Sequence, residues 1–293
     1  MKTRIISGFV MAAVVIAVLI VGVTAQPLVI TVFLGLLSAI AVFELLCNVA
    51  KIRDLYSLII SSLFSLVYIF FKDGAFADLV DKKFVDEQLG GNLESGWKTL
   101  RQNLDAVGYA VIVVFVILAV GSILKNHKKY SLAQIVSLVA MPLIISGAFL
   151  SLGGIINRTN GVYYLLLVLN FSSICDMGAY FIGVYFGSHK LCPEISPKKT
   201  VEGALGGILS SIIVSFLLSL AFGINKAYIL VPLTVPFCII GMMGDLFASS
   251  IKRSVGIKDY GNLIPGHGGI LDRLDSVLLI APVLYMLIEL KVL

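Results

Sequence analysis

From Ile5 to Thr24 the chain runs for twenty residues without a charged side chain, and eight further predominantly apolar windows follow it. A helix needs about 20 apolar residues to cross the hydrocarbon core of a bilayer, roughly 30 Å thick. Inside lipid a spanning segment must satisfy its own backbone polar groups, which leaves helices and closed barrels. Long continuous apolar runs select the helix. Composition agrees, with 59% hydrophobic and only 13% charged residues and a mean hydropathy of +1.02, far more apolar than a soluble domain. The sequence therefore predicts an all-α integral membrane protein.

Windows of about 20 residues place nine spans, near 5–24, 27–49, 55–71, 107–124, 131–151, 162–187, 203–223, 228–250 and 274–291. The first is longer than the apolar core of a secretory signal, about 7 to 15 residues, so it reads as a helix that stays. The polar stretch from Lys72 to Asp105 mixes both signs of charge and reads as a solvated loop or surface helix. Three regions follow: 1–106, with three helices and the polar loop; 107–160, a middle helix pair; and 161–293, four helices and two polar loops that carry the chemistry. Cys47, Cys175, Cys192 and Cys238 are scattered without a CxxC pair, so neither a disulfide framework nor a zinc site is expected.

Basic residues favour the cytoplasmic side of short loops. With a cytoplasmic N-terminus, fourteen fall on that side, from Lys2 and Arg4 to Arg273, against Arg158, Lys226 and Lys291 on the other. Loops 188–202 and 251–273 then face the cytoplasm. Compact size and short termini point to a bacterial cytoplasmic membrane.

Ionisable groups at membrane depth are costly and mark function by default. Glu44, Asp176 and Asp245 lie within apolar runs, and Asp272 and Asp275 stand where the last loop returns to the membrane. Helical spacing puts Asp245, Ser249 and Lys252 on one face, as it does Asp272 with Asp275 and Asp176 with Tyr180. Crowded carboxylates repel unless a cation sits among them, and their oxygens suit a hard ion such as magnesium. Any one of these aspartates could instead bond across helices or pair with a nearby Lys or Arg. SPKKTVEG and SSIKRSVGIKD bring Lys198, Lys199, Lys252, Arg253 and Lys258 to the same side. Acids and fixed cations together suit a polyphosphate undergoing displacement.

The glycines of PGHGG, Gly266, Gly268 and Gly269, could shape an anion-binding nest or merely a flexible turn into the last helix. His267 could be a base, a phosphate donor or a loop hydrogen-bonder. Because a phosphomonoester is already ionised near neutral pH, the donor role is favoured. Neither GxxxxGK[ST] nor GxGxxG occurs, so no P-loop or Rossmann site is indicated. Gly183 with Gly187 and Gly203 with Gly207 have the small-xxx-small spacing of helix packing.

The run from Ser249 through Lys252, Arg253, Lys258, Asp259, Gly261 and PGHGG to Asp272-Arg273-Leu274-Asp275 resembles the signature of the phosphatidate cytidylyltransferase, or CDP-diacylglycerol synthase, family. DMGAYFIG, SPKKTVEG, the KTRIISG start and the Phe43-Glu44 pair extend the likeness over most of the chain. The polar loop and the fourth and fifth helices match only in polarity. Family members commonly carry Trp and a small hydroxyl residue where Ser173 and Met177 stand here, which concerns the packing around Asp176 rather than its carboxylate.

The resemblance implies cytidylyl transfer from CTP to phosphatidate, releasing pyrophosphate, with magnesium, one ion or two. It implies that Asp245 and Asp272 hold metal, that Asp275 and Asp176 support the site, and that Lys199 contacts phosphate. Lys198, Lys252, Arg253, Lys258, His267, Arg273, Gly268 and Gly269 complete the phosphate-binding set. The expected architecture is about nine helices around a polar, cytoplasm-facing catalytic cavity. Expected partners are CTP, phosphatidate, membrane lipids and a second copy of the chain, but no nucleic acid. A CTP-dependent polyprenol or phytol kinase is the second enzyme reading. A secondary transporter would call for an internal repeat, and none is evident.

Overall fold

The computed structural model describes residues 2–24, 27–73, 93–127, 129–224 and 226–293. Most of the expected polar loop, residues 74–92, lies outside the described residues, as does Lys128, one of the basic residues counted above. The chain is nearly all-α, and among the described residues seven helices are long and apolar enough to cross a membrane. Its internal contacts define two compact units, Met1–Gly153 with Tyr260–Leu271, and Gly154–Asp259 with Asp272–Leu293.

The first unit contains α1 (Lys2–Thr24) and α2 (Pro27–Glu44), which continues through a wide π turn, Leu45–Val49. It also holds α3 (Leu55–Lys72), α4 (Leu93–Lys125) and most of α5 (Leu132–Ile156). Buried Ser38 and Ser65 hydrogen-bond between α2 and α3, and Thr31 bonds Asp73. Small hydroxyl residues let apolar helices approach closely and still bond across the seam. α3 meets α4 through Phe64 stacked on Phe115, ring centroids 4.1 Å apart. Asp54 caps α3, accepting from the Ser57 amide at 3.0 Å and hydroxyl at 2.6 Å. Those bonds hold its carboxyl below the usual range.

In the second unit α6 (Gly161–Leu169) passes through a π turn, Asn170–Ile174, into α7 (Cys175–Phe186). Then come β1 (Lys190–Cys192), β2 (Ser196–Thr200), α8 (Val201–Ala221), α9 (Ala227–Ser254), the short α10 (Leu271–Leu274) and α11 (Val277–Glu289). α8 presents Gly203, Gly207, Ser211, Ser215 and Ser219 as its buried stripe, one residue per turn. At Gly207 a Cβ would meet the Cys175 carbonyl oxygen, and at Gly203 that of Ala179, so these glycines set the close approach of α7 and α8, as their spacing predicts. Farther along, Asn170 Nδ2 donates to the Ser211 carbonyl at 3.0 Å and to Ser215 Oγ at 2.9 Å, and Thr234 Oγ1 donates to Ser215 Oγ at 2.8 Å. Phe171 stacks on Phe237 at 5.0 Å.

One expectation changes. The fold is not wholly helical, because β1 and β2 form an antiparallel hairpin, Lys190 opposite Thr200 and Cys192 opposite Ser196. Among the described residues, seven of the nine expected windows carry helices long and apolar enough to span. The last window yields α11, 13 residues, about 20 Å at 1.5 Å per residue and shorter than a bilayer core. In the first window the apolar helical stretch among the described side chains is Ala13–Gly22.

Candidate active site

The polar groups of the second unit gather around the hairpin and the ends of α7 and α9. Thr200 closes β2 and caps α8, its hydroxyl accepting from the Gly203 amide at 3.1 Å. This cap fixes where extended chain becomes helix and so aims the two lysines before it. Lys199 pairs with Asp245 of α9. Asp176, Tyr180, Leu191, Lys198, Lys199 and Asp245 are among the residues lining a cavity of about 210 Å³. Two carboxylates, two lysines and the Thr200 hydroxyl thus share the lining with aromatic and apolar side chains.

Lys252, two turns beyond Asp245 on α9, donates to Asp272 Oδ1 at 2.8 Å. Asp245 interacts electrostatically with both Asp176 and Asp275. The Asp275 oxygen accepts from the Ser276 amide at 2.7 Å. Arg253, Lys258 and Arg273 are exposed, and Arg253, in the last turn of α9, donates to the Ile257 carbonyl just beyond the helix at 3.4 Å.

The sequence leaves the aspartates to bind metal or to pair with basic residues, and the structure pairs Asp245 and Asp272 with lysines. Among the described residues, no three His, Cys, Asp or Glu side chains converge as a chelating set, so Asp245, Asp272 and Asp275 do not meet as one. Magnesium usually keeps several waters and takes only one or two carboxylates plus substrate phosphate. The hard carboxylate oxygens of Asp245, with Asp176 and Asp275 near enough to act on it electrostatically, fit that demand.

In the first unit the PGHGG turn is closed by its own backbone. The His267 and Gly268 amides donate to the Ile264 carbonyl at 2.9 and 3.1 Å, and the Ile264 amide donates to the Gly268 carbonyl at 2.8 Å. Gly266 and Gly268 have φ of 77° and 89°, which a side chain would strain. The expected anion nest is corrected in one respect: the Gly268 amide already has an acceptor inside the turn. The amides just beyond, of Ile270 and Leu271, donate to the Glu44 carboxylate at 3.1 and 3.0 Å. His267 Nδ1 lies 2.9 Å from Ser7 Oγ, which itself donates to the Pro265 carbonyl at 3.0 Å.

Sequence reasoning counts Glu44 among the intramembrane candidates but gives it no partner, since no cation precedes it on α2. Its partners are backbone amides more than two hundred residues away. The one local signal was Asn48, four residues on and so on the same face; Asn48 Nδ2 donates to the Tyr260 carbonyl at 2.6 Å.

Residues 92–291 match the family model described as the cytidylyltransferase family. The chain belongs to the cytidylyltransferase family. The phosphatidate cytidylyltransferase of Staphylococcus saprophyticus is 42% identical over 132 residues, 45% of this chain and 51% of that protein. That of Staphylococcus aureus strain COL is 43% identical over 133 residues, again 45% and 51%. The chain thus spans about half the length of the curated relatives it matches. The family match covers the hairpin, the paired aspartates and the PGHGG turn together.

Proposed function

We propose that this cytidylyltransferase-family chain transfers the cytidylyl group of CTP to phosphatidate, giving CDP-diacylglycerol and pyrophosphate. The observation that carries the reading is the pairing of Lys199 with Asp245 and Lys252 with Asp272 in one unit, beside Asp176 and Asp275. The names of the staphylococcal relatives add support.

An ionised phosphate oxygen of phosphatidate attacks the α-phosphorus of CTP. The new P–O bond forms as the bond to the β-phosphate bridging oxygen breaks, and pyrophosphate departs with that electron pair. The second pKa of a phosphomonoester is about 6, so the attacking oxygen needs no base. Lys198 and Lys199 at the cavity wall would bind the polyphosphate, and a fixed ammonium stabilises the charge that grows on the leaving group. Lys252, Arg253, Lys258, His267, Arg273 and Gly269 complete the proposed phosphate-binding set. Magnesium, one ion or two, would be held by Asp245 and Asp272 with Asp275 and Asp176 in support; when bound it supplies further charge neutralisation.

The same reading sets the enzyme in a bacterial cytoplasmic membrane with nine spans, counting α1 and α11, and with the N-terminus and the active-site loops 188–202 and 251–273 on the cytoplasmic side. It works as a homodimer among membrane lipids. The direct test supplies purified protein with CTP labelled in the α-phosphate, phosphatidate and magnesium. Label entering the organic phase with release of pyrophosphate supports the reading. Label entering only from γ-labelled CTP, with CDP released, would establish a kinase instead, and no transfer from either would refute both.

A further inference from the structure

Glu44 is the last residue of α2 proper and Asn48 lies one turn on, in the π turn. Asn48 holds the carbonyl of Tyr260, and Glu44 holds the amides of Ile270 and Leu271. One helical turn therefore grips both ends of the segment Tyr260–Leu271, whose middle is the self-closed PGHGG turn. Tyr260 is 2% exposed and Glu44 5%. A Cβ at Gly261 or Gly269 would collide with the Glu44 carboxylate, so the segment is shaped to let that group in.

Burying a carboxylate costs several kcal/mol unless other groups satisfy it. Backbone amides directed at it supply that compensation. A segment of this length would otherwise be as mobile as most loops. Its last residue, Leu271, is joined by a peptide bond to Asp272.

We propose that Glu44, assisted by Asn48, is a positioning residue: it fixes the backbone up to Leu271 and so the direction in which the chain delivers Asp272. The proposal rests on the cytidylyl-transfer reading. Two carboxylate oxygens serve two amides, whereas glutamine would turn an NH₂ toward one of them. Displacing a catalytic group by as little as 1 Å can cost about 10²-fold in rate.

The test compares full-length wild type with Glu44→Gln, Glu44→Asp, Asn48→Ala and Gly269→Ala, each purified in detergent. Hydrogen exchange is followed at Ile270 and Leu271, and kcat and both KM values are measured for CTP and phosphatidate. In Glu44→Gln the two amides should exchange about tenfold faster and kcat should fall about 10²-fold. Both KM values should stay within about threefold, as expected when alignment rather than ground-state binding is lost. Gly269→Ala, which displaces an unaltered Glu44, should reproduce the kcat loss, and Glu44→Asp should recover part of it. Unchanged amide exchange overturns the proposal, and so does faster exchange with kcat within about twofold of wild type. Should Glu44→Gln not fold, Asn48→Ala and Gly269→Ala decide by the same criteria. Should wild type itself transfer no label, the cytidylyl-transfer reading has failed and the catalytic half of the proposal with it. The exchange arm then still decides whether Glu44 clamps the segment.

Discussion

The Lys252 ammonium stands 2.8 Å from Asp272 Oδ1, with the two side chains only 11% and 2% exposed. Removing one member of a buried ion pair costs about 3–5 kcal/mol, whereas replacing both with apolar groups is often neutral. Lys252→Met should therefore lower the thermal midpoint in detergent sharply. The double variant Lys252→Met/Asp272→Leu should regain most of that midpoint but no cytidylyl transfer. A double variant as unstable as the single one would mean that the pair does not govern stability here.

Asp245 differs in being drawn on from several directions, by Lys199 as a partner and by Asp176 and Asp275 as like charges. Asp245→Asn should cut turnover by about 10²-fold or more, the scale of losing one electrostatic contact in a preorganised site. Chelation of divalent ions should abolish wild-type transfer, and added magnesium should restore it. Asp245→Asn should need more magnesium for its residual half-maximal rate. An unchanged magnesium dependence in that variant would remove Asp245 from the metal assignment.

Much of this was legible in the chain because the bilayer imposes long apolar runs, and seven of the nine windows correspond to helices long enough to span. The glycine spacing at 203 and 207 likewise foretold the tight α7–α8 seam. What escaped depended on partners remote in sequence. The β1–β2 hairpin pairs short polar segments with little alternation to reveal them. Glu44 looked like a lone acid because its acceptors' donors are backbone amides, which every residue has and no composition betrays. Pairing of Asp245 and Asp272 with lysines was one of three open alternatives, beside a metal and a bond across helices, and residue type alone could not choose among them.

Asp54 offers a test outside the membrane spans. Its bonds to Ser57 depress its folded-state pKa, so its contribution is present above the unfolded value and is lost as pH falls through the folded one. An unfolded aspartate titrates near about 3.9. Asp54→Ala should lose about 1 kcal/mol at neutral pH, the usual worth of an N-cap. The gap from wild type, followed as the thermal midpoint, should begin to narrow as the pH drops below about 4 and close as it falls through the lower folded-state value. A gap that persisted or widened in acid would show that the charged cap is not its source.

His267 is the residue whose chemistry the geometry narrows furthest. The Ser7 hydroxyl has one proton and directs it to the Pro265 carbonyl, so His267 Nδ1 must be the donor in its contact with Ser7 Oγ. This tautomer follows from the hydrogen-bond network. In the neutral ring Nε2 is then an acceptor, and His267 can donate to a phosphate from that nitrogen only as imidazolium. His267→Ala should lose activity that no change of pH restores. His267→Gln, whose side-chain amide can still donate a hydrogen bond, should keep more of the wild-type rate than His267→Ala. If His267→Gln is no more active than His267→Ala, donation by His267 to substrate phosphate is refuted, and the ring serves only to hold the turn against Ser7.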